Sequence, residues 1–265
     1  LEAHASGAPV TLLCAHGTDG ESLMARHALV EAAYPLSAWS GEGLAGAAPR
    51  VVLPLAFDTT PLRYKPGVFL PDLTPYYPLV RRLWSLGFRG FECYGLGGSQ
   101  VLPLPYLLDA FVDCHKGRRC FVAGNGPSLN DIDMTLLRDE IPFGSNQCYL
   151  GYADWGFSFT YWGVSDEYQI QAYDRDYEAH VPAECVQFYP FAYWPLLRFP
   201  QACPVNRVWC REAAHQFSSD PGQVYRGYTV TYMLLQIAAV MGCDPIILIG
   251  TDHRYDLRRR YILSK

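Results

Sequence analysis

Several short clusters in this chain combine residue types that hold ligands with a local pattern that could present them. The first is AGNGPSL, Ala123 to Leu129, where an apolar run from Cys120 enters two glycines one residue apart. Gly124 and Gly126 would let the backbone approach a bound group and turn free amides toward an anion. Asn125 brings a donor and an acceptor, and Ser128 could bind a phosphate or cap the next segment. A purely structural turn is the competing reading. Pro127 removes one amide, and Leu129 stands where the dinucleotide fingerprint needs a third glycine, so the stretch argues against an NAD site.

The second cluster is GSNQ, whose Asn146 and Gln147 could hydrogen-bond a planar base or a sugar, and the third is VSDE, whose Asp166 could serve as metal ligand, base or hydroxyl acceptor. Thr229 and Thr231 open a long apolar segment, where a helix start provides unpaired amides and the positive end of a dipole. Thr251, Asp252, His253 and Tyr255 follow the apolar run IILIG; His253 could exchange protons near neutral pH and Tyr255 could grip a phosphate. Polar strand exits, surface loops and simple caps are the competing readings. His16 and the glycines of YGLGGSQ read as structural turns, and Arg258 to Arg260 as solvated surface. The chain has no HExxH, Walker A loop, GxSxG elbow or paired-cysteine metal site.

Such clusters need a scaffold that ends several strands at one place. Apolar runs at Val10 to Ala15, Arg50 to Phe57 and Phe91 to Gly95, with helical spacing over Glu21 to Tyr34, Tyr77 to Leu86 and Leu102 to Cys114, predict a first α/β unit over residues 1–115. The polar break HKGRR, 115–119, separates it from a second unit, 116–265. There the expected order is strand CFVAG, a helix or turn over Asp131 to Arg138, strands PFGSN and FTYWGVSD, an irregular Tyr/Pro-rich stretch from Tyr173 to Phe217, a helix over Thr229 to Met241 and strand IILIG. The alternation predicts a Rossmann-like, mostly parallel sheet flanked by helices, preceded by a smaller α/β unit. In such a sheet Asn125, Asn146, Asp166 and Thr229 converge on one crevice outside the strand ends.

Composition narrows the function. Of the 265 residues, 50% are hydrophobic and 18% charged, which predicts a packed globular chain rather than disorder. A net charge of −5 leaves no general basic footprint for nucleic acid or an anionic membrane. The 23 Gly, 20 Pro and 19 Tyr suit a loop-rich pocket or a carbohydrate-handling surface. Nine cysteines, an odd number without CxxC, read as reduced and mostly buried thiols in a cytoplasmic setting. The longest apolar segment, Thr229 to Gly242, is too short to span a bilayer. The start, LEAHASG, has neither Met nor a leader pattern and the end no clear stop, so the chain reads as a piece of something longer.

AGNGPSLNDID, FGSNQCYL, the strand ending at Asp166 and TVTYMLLQIAAVMGCDPIILIGTDHRY resemble the MptE-like domain of bacterial surface-glycan gene sets, and also the bacterial sialyltransferases of glycosyltransferase family 42. The resemblance covers about Arg118 to Tyr255. It implies a glycosyltransferase that binds a nucleotide-activated sugar, CMP-linked in the sialyltransferases, and passes it to a glycan acceptor. Gly124, Asn125, Gly126 and Ser128 would then meet the donor nucleotide and phosphate. Asn146 and Gln147 would meet the donor, Thr229 to Thr231 its cytidine or phosphate, and Tyr255 a phosphate. His253 would substitute for the family's catalytic histidine. Where those enzymes carry a further Asn, this chain has Asp166, whose charge would repel an anionic donor unless a cation or proton intervenes. The MptE-like name also covers pterin pyrophosphokinases, and that alternative calls for Mg²⁺ held by Asp166, Glu167 and Asp252. A non-catalytic nucleotide-binding module remains open beside both.

Overall fold

The computed structural model describes residues 10–14, 30–35, 51–54, 77–85, 90–95, 98–196, 201–208 and 216–252. His16, the Arg258 to Arg260 run and two site candidates, His253 and Tyr255, lie outside them. The chain forms two compact units, Leu1–Leu104 and Pro105–Lys265.

In the first unit β1 (Val10–Cys14), β2 (Val30–Pro35), β3 (Val51–Pro54), β4 (Gly90–Gly95) and β5 (Gly98–Pro103) form a sheet in the order β2-β1-β3-β4-β5. All pairs are parallel except β4 with β5. Helix α1 is Tyr77–Ser85. Two expected helices are corrected here. Residues 30–34 of the first lie in β2, paired with β1, because a short Ala-containing apolar run satisfies either periodicity and strand pairing decides; its residues 21–29 lie outside the described ones. The second, Leu102 to Cys114, is instead the end of β5 followed by a single 3₁₀ turn, Leu108–Phe111, since Pro103 and Pro105 remove the amides a helix needs.

The second unit is built on a six-stranded parallel sheet, order β10-β9-β8-β7-β6-β13, from β6 (Cys120–Ala123), β7 (Pro142–Ser145), β8 (Tyr161–Gly163), β9 (Val186–Pro190), β10 (Ala202–Val205) and β13 (Ile246–Ile249). This is the Rossmann-like α/β arrangement. Its helices are α2 (Tyr152–Trp155), α3 (Glu167–His180) and α4 (Val230–Val240). Alternation along β8 shows how both faces are covered: Tyr161 stacks on Phe143 at 4.7 Å within the cluster that includes Met233, Leu234 and Ile237 of α4, while the next residue, Trp162, meets Tyr177 of α3. A small parallel ladder, β11 (Arg207–Val208) with β12 (Val224–Tyr225), lies between β10 and α4 in the chain.

The stretch from Tyr173 to Phe217, expected to be irregular, holds the end of α3, β9, β10 and β11. Its prolines sit where strands tolerate them: Pro190 ends β9, and Pro204 lies in β10, the edge strand. The segment 115–119 belongs to the second unit. Asp113, His115 and Gly117 donate their amides to Val240, Met241 and Gly242 at 3.1, 2.9 and 2.8 Å, and Leu108 and Phe111 join the core there.

Candidate functional site

Because every neighbour in the six-stranded sheet is parallel, its carboxyl ends share one edge. Asn125 follows β6, Asn146 follows β7, Asp166 follows β8, and Thr251 and Asp252 follow β13. Helix α4 runs back across the sheet, its last residues bonded to the segment that leads into β6. Its first turn lies over the end of β8, where a Cβ on Gly163 would come within 2.8 Å of Leu234. Thr229, the N-cap of α4, therefore stands at the same edge. The direction of succession reverses between β6 and β13, which is where open parallel sheets form their ligand crevice.

The glycine turn is more tightly engaged than a free anion cradle would be. The amides of Gly124 and Gly126 donate to Ile249 and Gly250, each at 2.9 Å, and the Ser128 amide donates to Asp252 Oδ2 at 3.0 Å. Ser128 Oγ also donates to the Asp252 carboxylate. The glycines are required by this closeness, since a Cβ on Gly124 would fall 2.4 Å from the Gly250 carbonyl and one on Gly126 2.6 Å from it. The turn thus locks the ends of β6 and β13 together, with a carboxylate beside it that disfavours a second anion.

At the ends of β6 and β7 two side-chain oxygens are buried without hydrogen-bond partners. The Asn125 side-chain nitrogen donates to the Ser145 carbonyl at 3.1 Å, while its Oδ1 is buried without a hydrogen-bond partner. Asn146 Oδ1 is in the same condition. The Asn146 backbone sits at φ 48°, a left-handed conformation that asparagine tolerates better than most residues, and its carbonyl accepts from Trp162 Nε1 at 2.8 Å. Gln147 is buried and donates to Gln169 of α3 at 3.0 Å. A buried carbonyl oxygen without a donor is costly, and a ligand hydroxyl or amino group would relieve it.

The remaining candidates are partly committed to local structure. Asp166 caps α3, accepting from the Tyr168 and Gln169 amides at 2.7 and 3.1 Å. Thr229 caps α4, accepting from the Tyr232 amide at 3.2 Å, and Thr231 is half-buried in the first turn. Asp166 is engaged as a cap and Asp252 accepts from Ser128, and no group of three metal-ligating side chains stands together among the described residues.

Sequence reasoning missed Arg207, Asn206 and Arg226. Asn206 follows β10 as Asn146 follows β7, and its Oδ1 is likewise buried without a partner. The guanidinium of Arg207 donates to the Ser165 carbonyl, bridging from the end of β10 to the end of β8. Burial pushes it down to about 10, and the charge of Arg226 acts in the same direction against Tyr193 and Asp166. The only signal was an apolar strand that exits into Asn-Arg.

No known protein family matches the chain, and no curated protein does. A solved structure, the MAf glycosyltransferase from Magnetospirillum magneticum AMB-1, is similar over 73% of this chain at 15% identity with a TM-score of 0.45. The chain spans 30% of that protein's length. Function has to be read from the crevice's own side chains.

Proposed function

We propose that the second unit is the donor-binding part of a glycosyltransferase, taking a nucleotide-activated sugar, CMP-linked as in the sialyltransferases its motifs resemble, for surface-glycan synthesis. The observation that carries this is the pair of buried, unpartnered oxygens of Asn125 and Asn146 on adjoining strand ends. Both accept hydrogen bonds, so they suit the hydroxyls of a sugar or the amino group of a base rather than a phosphate. Gln147, Thr229 and Thr231 extend the donor surface, while Gly124, Gly126 and Ser128 keep it in shape. Transfer would form a glycosidic C–O bond as the anomeric C–O bond to phosphate breaks. The nucleotide leaves with the electron pair, and the acceptor hydroxyl yields its proton to a base, proposed to be His253. Asp166, engaged as a cap, acts on the orientation of α3 rather than on a metal.

Free thiols at Cys114, Cys120, Cys148, Cys185, Cys203 and Cys243, all buried but the first, support a reducing, cytoplasmic setting. No described helix is long and apolar enough to cross a membrane. A thermal-shift panel of CMP, CDP, UDP, GDP and ATP, each with Mg²⁺ and with EDTA, tests the reading. A cytidine nucleotide raises the melting temperature in EDTA as well as in Mg²⁺. Stabilisation by ATP alone, and only with Mg²⁺, would return the pyrophosphokinase alternative. Stabilisation by cytidine nucleotides without release of CMP from CMP-sialic acid would leave a binding module.

A further inference from the structure

The edge of the second unit's sheet opposite the crevice carries two thiols that the donor reading does not use. Cys120 opens β6, and Cys243 follows the turn that ends α4 and leads into β13. Main-chain hydrogen bonds hold both in place. The Cys243 amide donates to the Ala238 carbonyl at 3.0 Å, the Asp244 amide to Arg118 at 2.9 Å and the Cys120 amide to Pro245 at 3.0 Å. The two side chains meet at this junction, where the Cys120 S–H donates to the Cys243 sulfur. Both belong to the hydrophobic cluster under α4, Cys120 fully buried and Cys243 7% exposed. The other described thiols are engaged elsewhere: Cys148 meets Tyr152, Cys185 meets the Val186 carbonyl, and the exposed Cys114 accepts from Tyr161.

The pair is asymmetric. The hydrogen bond from Cys120 holds the Cys243 thiol below the ordinary thiol value; burial opposes it and the Arg118 charge assists it. The same bond, together with burial, pushes the Cys120 thiol up. Cys243 is therefore the sulfur that ionises first, and it is also the one that solvent reaches. The thiolate, not the thiol, is the nucleophile toward an oxidant, and a second thiol in contact with it lets the oxidation stop at a reversible disulfide. So small an exposure suits hydrogen peroxide better than a bulky disulfide reagent.

We propose that Cys243 and Cys120 form a reversible oxidation site, with Cys243 as the thiol that reacts with hydrogen peroxide and Cys120 as its resolving partner. The Cys243 sulfur attacks one peroxide oxygen, an S–O bond forms as the O–O bond breaks, and the departing hydroxide takes up a proton to become water. The Cys120 sulfur then attacks the Cys243 sulfur. An S–S bond forms as the S–O bond breaks, and the hydroxide leaves with the Cys120 proton as a second water. The two thiols lose two electrons, which reduce the peroxide, and a thiol reductant reverses the change by exchange. The sulfurs have only to close from hydrogen-bond contact to about 2.05 Å. The link ties the C-terminal end of α4 to the start of β6, whose far ends carry Thr229 and the Gly124 turn. A transient disulfide of this kind is the sort that a reducing compartment permits. The site uses no group of the crevice and stands apart from the donor reading.

Peptide mapping of the whole chain decides it, with the protein exposed to hydrogen peroxide while folded and then alkylated in denaturant without reduction. Peroxide joins the peptides that hold Cys120 and Cys243, and the chain loses the mass of two hydrogens. The melting temperature rises because a long loop is closed. Dithiothreitol reverses all three changes. In Cys120→Ala the link is absent and dimedone labels Cys243 as its sulfenic acid, whereas Cys114→Ser forms the link as the wild type does. The map of the wild type answers by itself should Cys120→Ala fail to fold. Oxidation confined to Cys114, a link from Cys243 to Cys114 instead of Cys120, or alkylation of both Cys120 and Cys243 after peroxide overturns the proposal.

Discussion

Asn146 joins a conformational and a chemical demand in one residue. Its φ of 48° suits glycine and asparagine, whereas its buried Oδ1 has no hydrogen-bond partner and is the acceptor the proposed donor site uses. Asn146→Gly therefore keeps the backbone and removes the acceptor, leaving the melting temperature close to wild type while weakening donor binding. Asn146→Ala loses both, and chemical denaturation finds it about 1 kcal/mol less stable than the glycine variant. His115 responds to pH for a different reason. Burial and then the Arg118 charge hold it below the ordinary value of 6.5, beside Tyr161 Oη at 2.7 Å. The unfolded chain therefore binds the proton first as pH falls. Stability is full above 6.5 and declines as pH falls below it. Melting temperature followed from pH 8 to pH 5 drops in the wild type, and the part of that drop due to this residue is absent from His115→Gln. An identical pH profile for the two proteins would remove His115 from the account.

At the scale of elements, the junction of β6 with β13 organises the crevice. Glycine at 124 is dictated by the Gly250 carbonyl, a backbone atom that cannot swing aside as a side chain can. Gly124→Ala must push β13 away from β6, and urea unfolding should show a loss of about 1–3 kcal/mol. A variant as stable as wild type would mean that the strands are not in contact there. This junction was hidden from sequence reasoning because Ser128 and Asp252 are 124 residues apart along the chain. The polar groups after β6, β7 and β8 were legible, because strands buried on both faces print continuous apolar runs that stop where the polar residues begin. Strands β9 and β10 are interrupted by Gln187 and by a tyrosine and prolines that read as loop, and Arg207 was lost with them.

For the whole molecule, residues 30–34 of the helix expected over 21–34 lie in β2 because local periodicity is silent on which neighbour a short apolar run will pair with. The parallel sheet of the second unit was legible, and so was the edge at which its polar strand exits gather. The chemistry of that edge was only half legible: residue types can be read from a string of letters, but whether an amide is free or an oxygen unpartnered depends on distant segments. The proposed donor site requires the oxygens of Asn125 and Asn146 to receive one ligand between them. It is tested most directly by calorimetric titration of CMP-sialic acid, in EDTA, into wild type, Asn125→Ala, Asn146→Gly and the double variant. Each single change is expected to weaken binding by about 1–3 kcal/mol, and the double change by less than the sum because the two oxygens hold the same molecule. Affinities in both single variants equal to that of the wild type would contradict it.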